Sequence, residues 1–164
     1  MANNSTVQRF KIADYINIGT TGVPVWAFCG AGFNTLDENP RAQVDMKTYI
    51  NDKTATATVK SYQTSFPFDT DLMSNDAAIM KLYGIGRDES TGAEAEVEYV
   101  RVELFEAADG NKYPARKFTV AVEVNSISGA GGETVNVTGN LNSVGDFVDG
   151  TFDTVQKRFE VTGA

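Results

Sequence analysis

The chain is expected to be mainly β: a β-sandwich or partly closed barrel with one flanking α-helix and a long extended arm. Three observations point there. Short runs of alternating apolar and polar residues recur along most of the chain, as half-buried strands require. A single segment, Ser74 to Tyr83, has the start and stop signals of a helix. One further stretch, Leu36 to Thr58, alternates like a strand but holds few large apolar residues.

In chain order, Val7 to Ile18 sets Phe10, Ile12, Ile16 and Ile18 on one face of a first strand, interrupted by Asp14. The turn cluster GTTGVP follows at 19–24. Val25 to Cys29 is a short apolar run, long enough for a buried strand and too short for a helix, and Gly30-Ala31-Gly32 closes it. In the arm, Ala42, Val44, Met46, Thr48 and Ile50 alternate with Gln43, Asp45, Lys47 and Tyr49. Asn39-Pro40 and Asn51-Asp52 are turn signals near its ends.

Thr54 to Phe68 is rich in Thr, Val, Tyr and Phe, the composition of a pleated surface, and Pro67 is expected to end its pairing or put it at an edge. In the helix, Ser74 can cap the N-terminus, and Asp76 and Lys81 suit the two ends of the dipole. Gly84 fits a left-handed stop, and Ala78, Ile79 and Leu82 form the buried stripe.

Between Glu94 and Glu106 the alternation changes phase near Tyr99, which predicts a bulge or sharp twist there. Asp109-Gly110-Asn111 is a hairpin signal. Phe118, Val120, Val122 and Val124 then alternate cleanly with polar neighbours. Gly129 to Gly132 is a flexible connection, and Val135, Val137 and Leu141 mark another strand. Thr151–Thr154 and Arg158–Val161 form a final hairpin. Eight or nine strands and one helix result, in one domain spanning 1–164 with 36–58 as its arm.

Composition narrows the function. The chain of 164 residues has a net charge of −8, which argues against a phosphate-binding surface. It contains no histidine, which removes the commonest general base, the usual hydrolase triads and most zinc sites. Cys29 is the only cysteine, so no intrachain disulfide forms, and its apolar setting reads as an inert buried thiol. Gly30-Ala31-Gly32 and Gly84-Ile85-Gly86 do not extend into a phosphate-binding motif. Asp69-Thr70-Asp71 lacks the Gly and Glu of a calcium loop, and a turn-and-cap role is the better reading. Glu94, Glu96 and Glu98 are more simply the wet face of a strand than paired catalytic carboxylates.

No catalytic, cofactor or metal site is therefore expected. The N-terminal MANNSTVQRF lacks the basic start and apolar centre of an export signal, so the sequons at Asn3, Asn4 and Asn136 carry no glycan expectation. No apolar run approaches the ~18 residues of a spanning helix.

The arm then becomes the main clue. An isolated ribbon is marginal in water, so Leu36, Val44, Met46, Tyr49 and Ile50 need a surface to cover. Legs of about 12 residues would reach roughly 40 Å at ~3.3 Å per residue. Folding back on a body of roughly 15 Å radius of gyration would need less. A neighbouring subunit is the physical inference.

Several short segments, in order, resemble the major tail protein of long-tailed, siphovirus-type bacteriophages. They are FNTLDENP (33–40), YINDK (49–53), SYQTSFPF (61–68), ARKFTVAVEV (115–124), GNLN (139–142), Gly145-Asp146 and Gly150-Thr151-Phe152. The resemblance runs from about Pro24 to Val161. It implies the tail tube fold, with six copies joining sheets into a ring and rings stacking into a hollow tube. The tube would enclose the tape measure protein, meet the tail terminator and the distal tail or baseplate proteins, and pass DNA during genome ejection.

In that reading the arm bridges to the next ring, and Val44, Met46 and Ile50 are exposed in a monomer and buried on assembly. Glu94, Glu96 and Glu98 are candidates to face the lumen, where acidic groups repel DNA; the outer wall is the alternative. The chain would be made in the host cytoplasm, reside in the virion and insert into no membrane. Alternative functions are a tail-terminator or connector ring, or a carbohydrate-binding β-sandwich module of a tail. Trp26, in an apolar run, weighs against the last.

Overall fold

The computed structural model describes residues 5–20 and 22–162; Asn3 and Asn4 lie outside them. In chain order the elements are β1 (Ile12–Asn17), β2 (Trp26–Phe28), β3 (Phe33–Leu36), β4 (Ala42–Lys47), β5 (Thr56–Tyr62), β6 (Ser65–Asp71), α1 (Ala77–Arg87), β7 (Glu96–Glu103), β8 (Lys112–Ser128), β9 (Asn136–Ser143), β10 (Val148–Asp153) and β11 (Arg158–Val161).

Nine strands form one antiparallel sheet in the order β2-β1-β7-β8-β9-β6-β3, with the β10–β11 hairpin branching from β8. The sheet is not closed into a barrel. Among the described residues, the mainly β class with a single α-helix is as the sequence indicates. The branch arises because β8 is 17 residues long. Its first part pairs β10 through Lys112–Lys117, and its second part pairs β9 from Val120 to Ser128.

Both faces of the central strands are buried, which explains the phase change read at Tyr99. β7 has no bulge there: its registers with β1 and β8 run without a break. Val97 and Tyr99 enter one apolar cluster, with Ile16, Phe66, Phe118 and Val120. Val100 and Val102 enter a second, with Ala13, Tyr15, Trp26 and Phe152. The strand changes the core it feeds while its backbone stays regular, so the sequence pattern slips and the ladder does not.

Other sequence expectations are corrected. Phe10 lies in a 3-10 turn, Arg9–Lys11, and is exposed, because β1 starts only at Ile12. Phe33–Leu36, not anticipated as a strand, pairs with β6. Thr54–Phe68 is two strands, β5 and β6, in different sheets. Pro67 sits inside β6, between β9 and the β3 side. Its carbonyl accepts the Asp37 N–H at 3.0 Å just past the end of β3. The N–H that proline lacks would point to that same margin, where no strand bond depends on it.

The helix is capped by Asp76, whose Oδ1 accepts the Ile79 N–H at 3.1 Å, and not by Ser74. Leu72 is still tied to Val135, and Met73 to Asp76 form a turn, so the helix cannot begin earlier. It continues through Gly84 to Arg87 because the buried stripe extends to Ile85. Gly86 serves close packing: a Cβ there would meet Val124 side-chain carbons at 2.7 Å.

Candidate functional site

Strands β4 and β5 form a two-stranded sheet of their own, apart from the main sheet. Every residue of both strands is exposed. Cross-strand partners share a face. Ala42 faces Tyr62, Val44 faces Val59, and Met46 faces Ala57. These six make one apolar face. Gln43–Ser61, Asp45–Thr58 and Lys47–Thr56 make the opposite, polar face. The register shift between Gln43 and Val44 leaves Lys60 as an extra residue in β5, and that bulge brings Tyr62 into phase with Val59 and Ala57.

Val44 is 52% exposed, Met46 61%, Tyr49 55%, and Ile50 at the tip is fully exposed. An arm with this face is thus present in the single chain, but its span is shifted from the expected 36–58. Leu36 is 3% exposed and belongs to the main core, because β3 still pairs with β6 there. The ribbon begins after Arg41 and returns at Gln63. Its reach, from Arg41 to Ile50, is roughly 30 Å at ~3.3 Å per residue.

The root of the ribbon is tightly held. Asn39 and Ser65 exchange both backbone hydrogen bonds, at 2.8 and 2.9 Å. The chain then leaves the sheet at Pro40 and Arg41, the latter in the left-handed region at φ 49. The Gln63 N–H donates to the Arg41 carbonyl at 3.1 Å, which closes the neck. Arg116 grips Glu38 with two parallel bonds, 2.9 and 2.7 Å, and Arg101 Nε lies 3.5 Å from the same carboxylate. The Arg116 guanidinium also lies over Phe118 and Phe147.

Arg101 connects this neck to the interior, lying 3.6 Å from the buried Asp14. Asp14 accepts from the Tyr99 hydroxyl and from Arg9. Burial pushes the Asp14 carboxyl up, opposed by Arg101, Tyr99 and Arg9. An open cleft of about 660 Å³ separates the neck from the body, lined by Glu38, Tyr62, Arg116 and Phe147 among others. Of its charged groups, Glu38 and Arg116 are paired with one another, and Lys60 and Asp146 also line it.

The three glutamates are not one strand face. Glu94 lies in a 3-10 turn, Gly92–Ala95, that precedes β7. Only Glu96 and Glu98 alternate on the strand. Glu98 is half-buried, pairs with Lys117 at 3.2 Å and accepts from Asn17. Glu94 and Glu96 are exposed. Cys29 is buried, and burial raises its thiol pKa well above the ordinary value. Trp26 is buried edge-on against Phe152. Asn136 is half-buried and donates to Asp69 at 2.6 Å.

Sequence reasoning missed Glu38, Arg101 and Arg116. No local pattern links residues that far apart; the only signal was two arginines at interior-facing positions of strands.

No family model matches this chain, and no curated protein does. Solved structures do. A chain of the anti-feeding prophage baseplate, determined by cryo-EM with 6-fold symmetry applied, is 11% identical and superposes with a TM-score of 0.52. The match covers 91% of this chain and 97% of that one. The two share a fold. Hcp1 from Salmonella typhimurium, 14% identical over 92% of this chain and 99% of its own, has a TM-score of 0.36, too low to carry an argument.

Proposed function

We propose that this protein is a structural, non-enzymatic subunit of a phage-type tail tube. Six copies form a ring, and rings stack into a hollow tube through the β4–β5 arm. The observation that carries the reading is the arm itself: a fully exposed ribbon with one continuous apolar face, which is unfavourable unless another molecule covers it. The fold shared with a chain of the 6-fold symmetrised baseplate supports a place in such a particle. So does the order of short segments resembling siphovirus-type major tail proteins.

In this role the tube would house a tape measure protein, end at a terminator and at distal tail or baseplate proteins, and conduct DNA without holding it. A net charge of −8 suits a conduit that does not bind DNA. Glu94 and Glu96 are the acidic groups free to line it, and Glu98 contributes less because Lys117 offsets it.

The test is excision of residues 42–62, with Arg41 joined to Gln63 by a short glycine link. Those two residues already share a hydrogen bond. The shortened chain is expected to fold with unchanged circular dichroism of the body and to form no tubes under negative stain. Tubes of normal length from this variant would overturn the reading. A second reading, a ring that stands at one end of a tube and does not stack, is favoured by the baseplate origin of the matched structure. Single rings from the intact protein would select it.

A further inference from the structure

The arm and the body carry opposite charge. Residues 41–63 hold Arg41, Lys47, Lys53 and Lys60 against Asp45 and Asp52, a net +2, which leaves −10 on the rest of a chain whose total is −8. The arm leaves the sheet beside Asn39 and Ser65, at one end of β6. The other end of that strand, about 20 Å away over seven residues, is built from segments 30–36, 69–76 and 126–136. Asp71 pairs with Asn136, and Asn136 with Ser128. These segments contain Asp69, Asp71, Asp76 and Glu133 and no lysine or arginine. They also expose Ile127 and Val135.

We infer that the arm of one copy docks on this acidic end of a second copy, so that stacking is head-to-tail and driven in part by charge. The occupant is another copy of the chain because the match is double. An arm of net positive charge, with one apolar face, Lys60 at its bulge and Lys53 near its tip, meets exposed apolar side chains on segments whose charged residues are all acidic. Another exposed apolar patch, Phe10 and Phe28, is flanked by Arg9 and Lys11 and would repel the arm. Donor and acceptor at opposite ends of the same strands make a heterologous contact, which propagates and does not close as a dimer.

At the acceptor, Asp69 is held ionised: Asn136 and Asn34 donate to it and keep its carboxyl below the ordinary value. Asp71 and Glu133 have no cation nearby in their own segments, so the arm's lysines are the partners that fit.

This inference rests on the tail-tube reading, and the experiment separates the two. The intact protein is followed by sedimentation velocity from low to high NaCl, beside three variants. The first carries Lys47→Glu, Lys53→Glu and Lys60→Glu; the second Asp71→Lys and Glu133→Lys; the third combines both sets. Polymerisation of the wild type should weaken with salt. Each reversal should raise the concentration needed for assembly about tenfold or more, and the combination should recover most of that loss.

As a second measurement, a chain with Ile50→Cys mixed with one carrying Val135→Cys should cross-link between chains with a short bismaleimide, while Cys29 stays buried. If reversal variants polymerise as the wild type does while the arm-excised chain does not, the arm reading stands and this inference fails. If the arm-excised chain polymerises, or the intact chain stays monomeric at low salt, both fail.

Discussion

Glu38 is the residue on which the arm's geometry depends. It lies three residues before the arm's neck, and both guanidiniums that hold it come from the body. Glu38→Gln leaves the buried Arg101 and the half-buried Arg116 with less counter-charge. It should lower stability by about 2 kcal/mol, less than a fully buried pair because the carboxylate is partly wet; urea denaturation with the slope unchanged would measure it. The arm's apolar residues predict the reverse. Met46→Asp and Ile50→Asp change side chains that touch little in the single chain, so monomer stability should move by no more than about 0.5 kcal/mol. Assembly, scored by pelleting or microscopy, should be lost.

Helix α1 is set by its cap and by one close approach. Asp76→Ala removes the acceptor for the Ile79 N–H and should cost about 1 kcal/mol, whereas Ser74→Ala should be nearly neutral. Thermal melts of the two variants distinguish them, and equal losses would mean the cap is misassigned. Within the sheet, Gly139 is required for closeness: a Cβ there would lie 1.9 Å from the Glu123 carbonyl oxygen. Gly139→Ala should therefore destabilise by about 2–3 kcal/mol, read from the same melts. The ribbon differs from both elements. Its β4 leg alternates as regularly as a core strand, yet every residue of its two strands is exposed.

At the scale of the molecule, pH should act mainly through carboxylates whose folded pKa is depressed. Asp69 is held down by Asn136 and Asn34, and Glu123 by Asn140 and Asn125. Asp153 is lowered by the Gln156 and Val155 N–H groups, and Glu160 by Lys112 and Arg158. A depressed carboxylate adds stability above its unfolded pKa and loses it as pH falls through the folded value. Asp14 has the opposite sign, since its folded pKa is raised by burial, so its protonation favours the native form and offsets part of the loss. The melting temperature should hold near neutral pH and drop below about pH 4. A flat profile to about pH 2 would contradict the assignment.

Much of this was legible in the chain. Alternation identified most strands, and Val44, Met46, Tyr49 and Ile50 stood out as apolar residues of a segment with few large apolar side chains, which the structure leaves exposed. These are local properties, carried by side-chain period and composition, and a linear reading can see them. Three things were decided only in three dimensions. The phase change at Tyr99 became a regular strand feeding two cores, because a pattern reports which side is buried and not how many sides are. The arm moved from 36–58 to 41–63, because only pairing with β6 puts Leu36 in the core. The basic arm and the acidic end of the sheet came to lie at opposite ends of one strand, because charges scattered over a hundred residues acquire a direction only when antiparallel pairing brings Asp71, Asn136 and Ser128 to the same level.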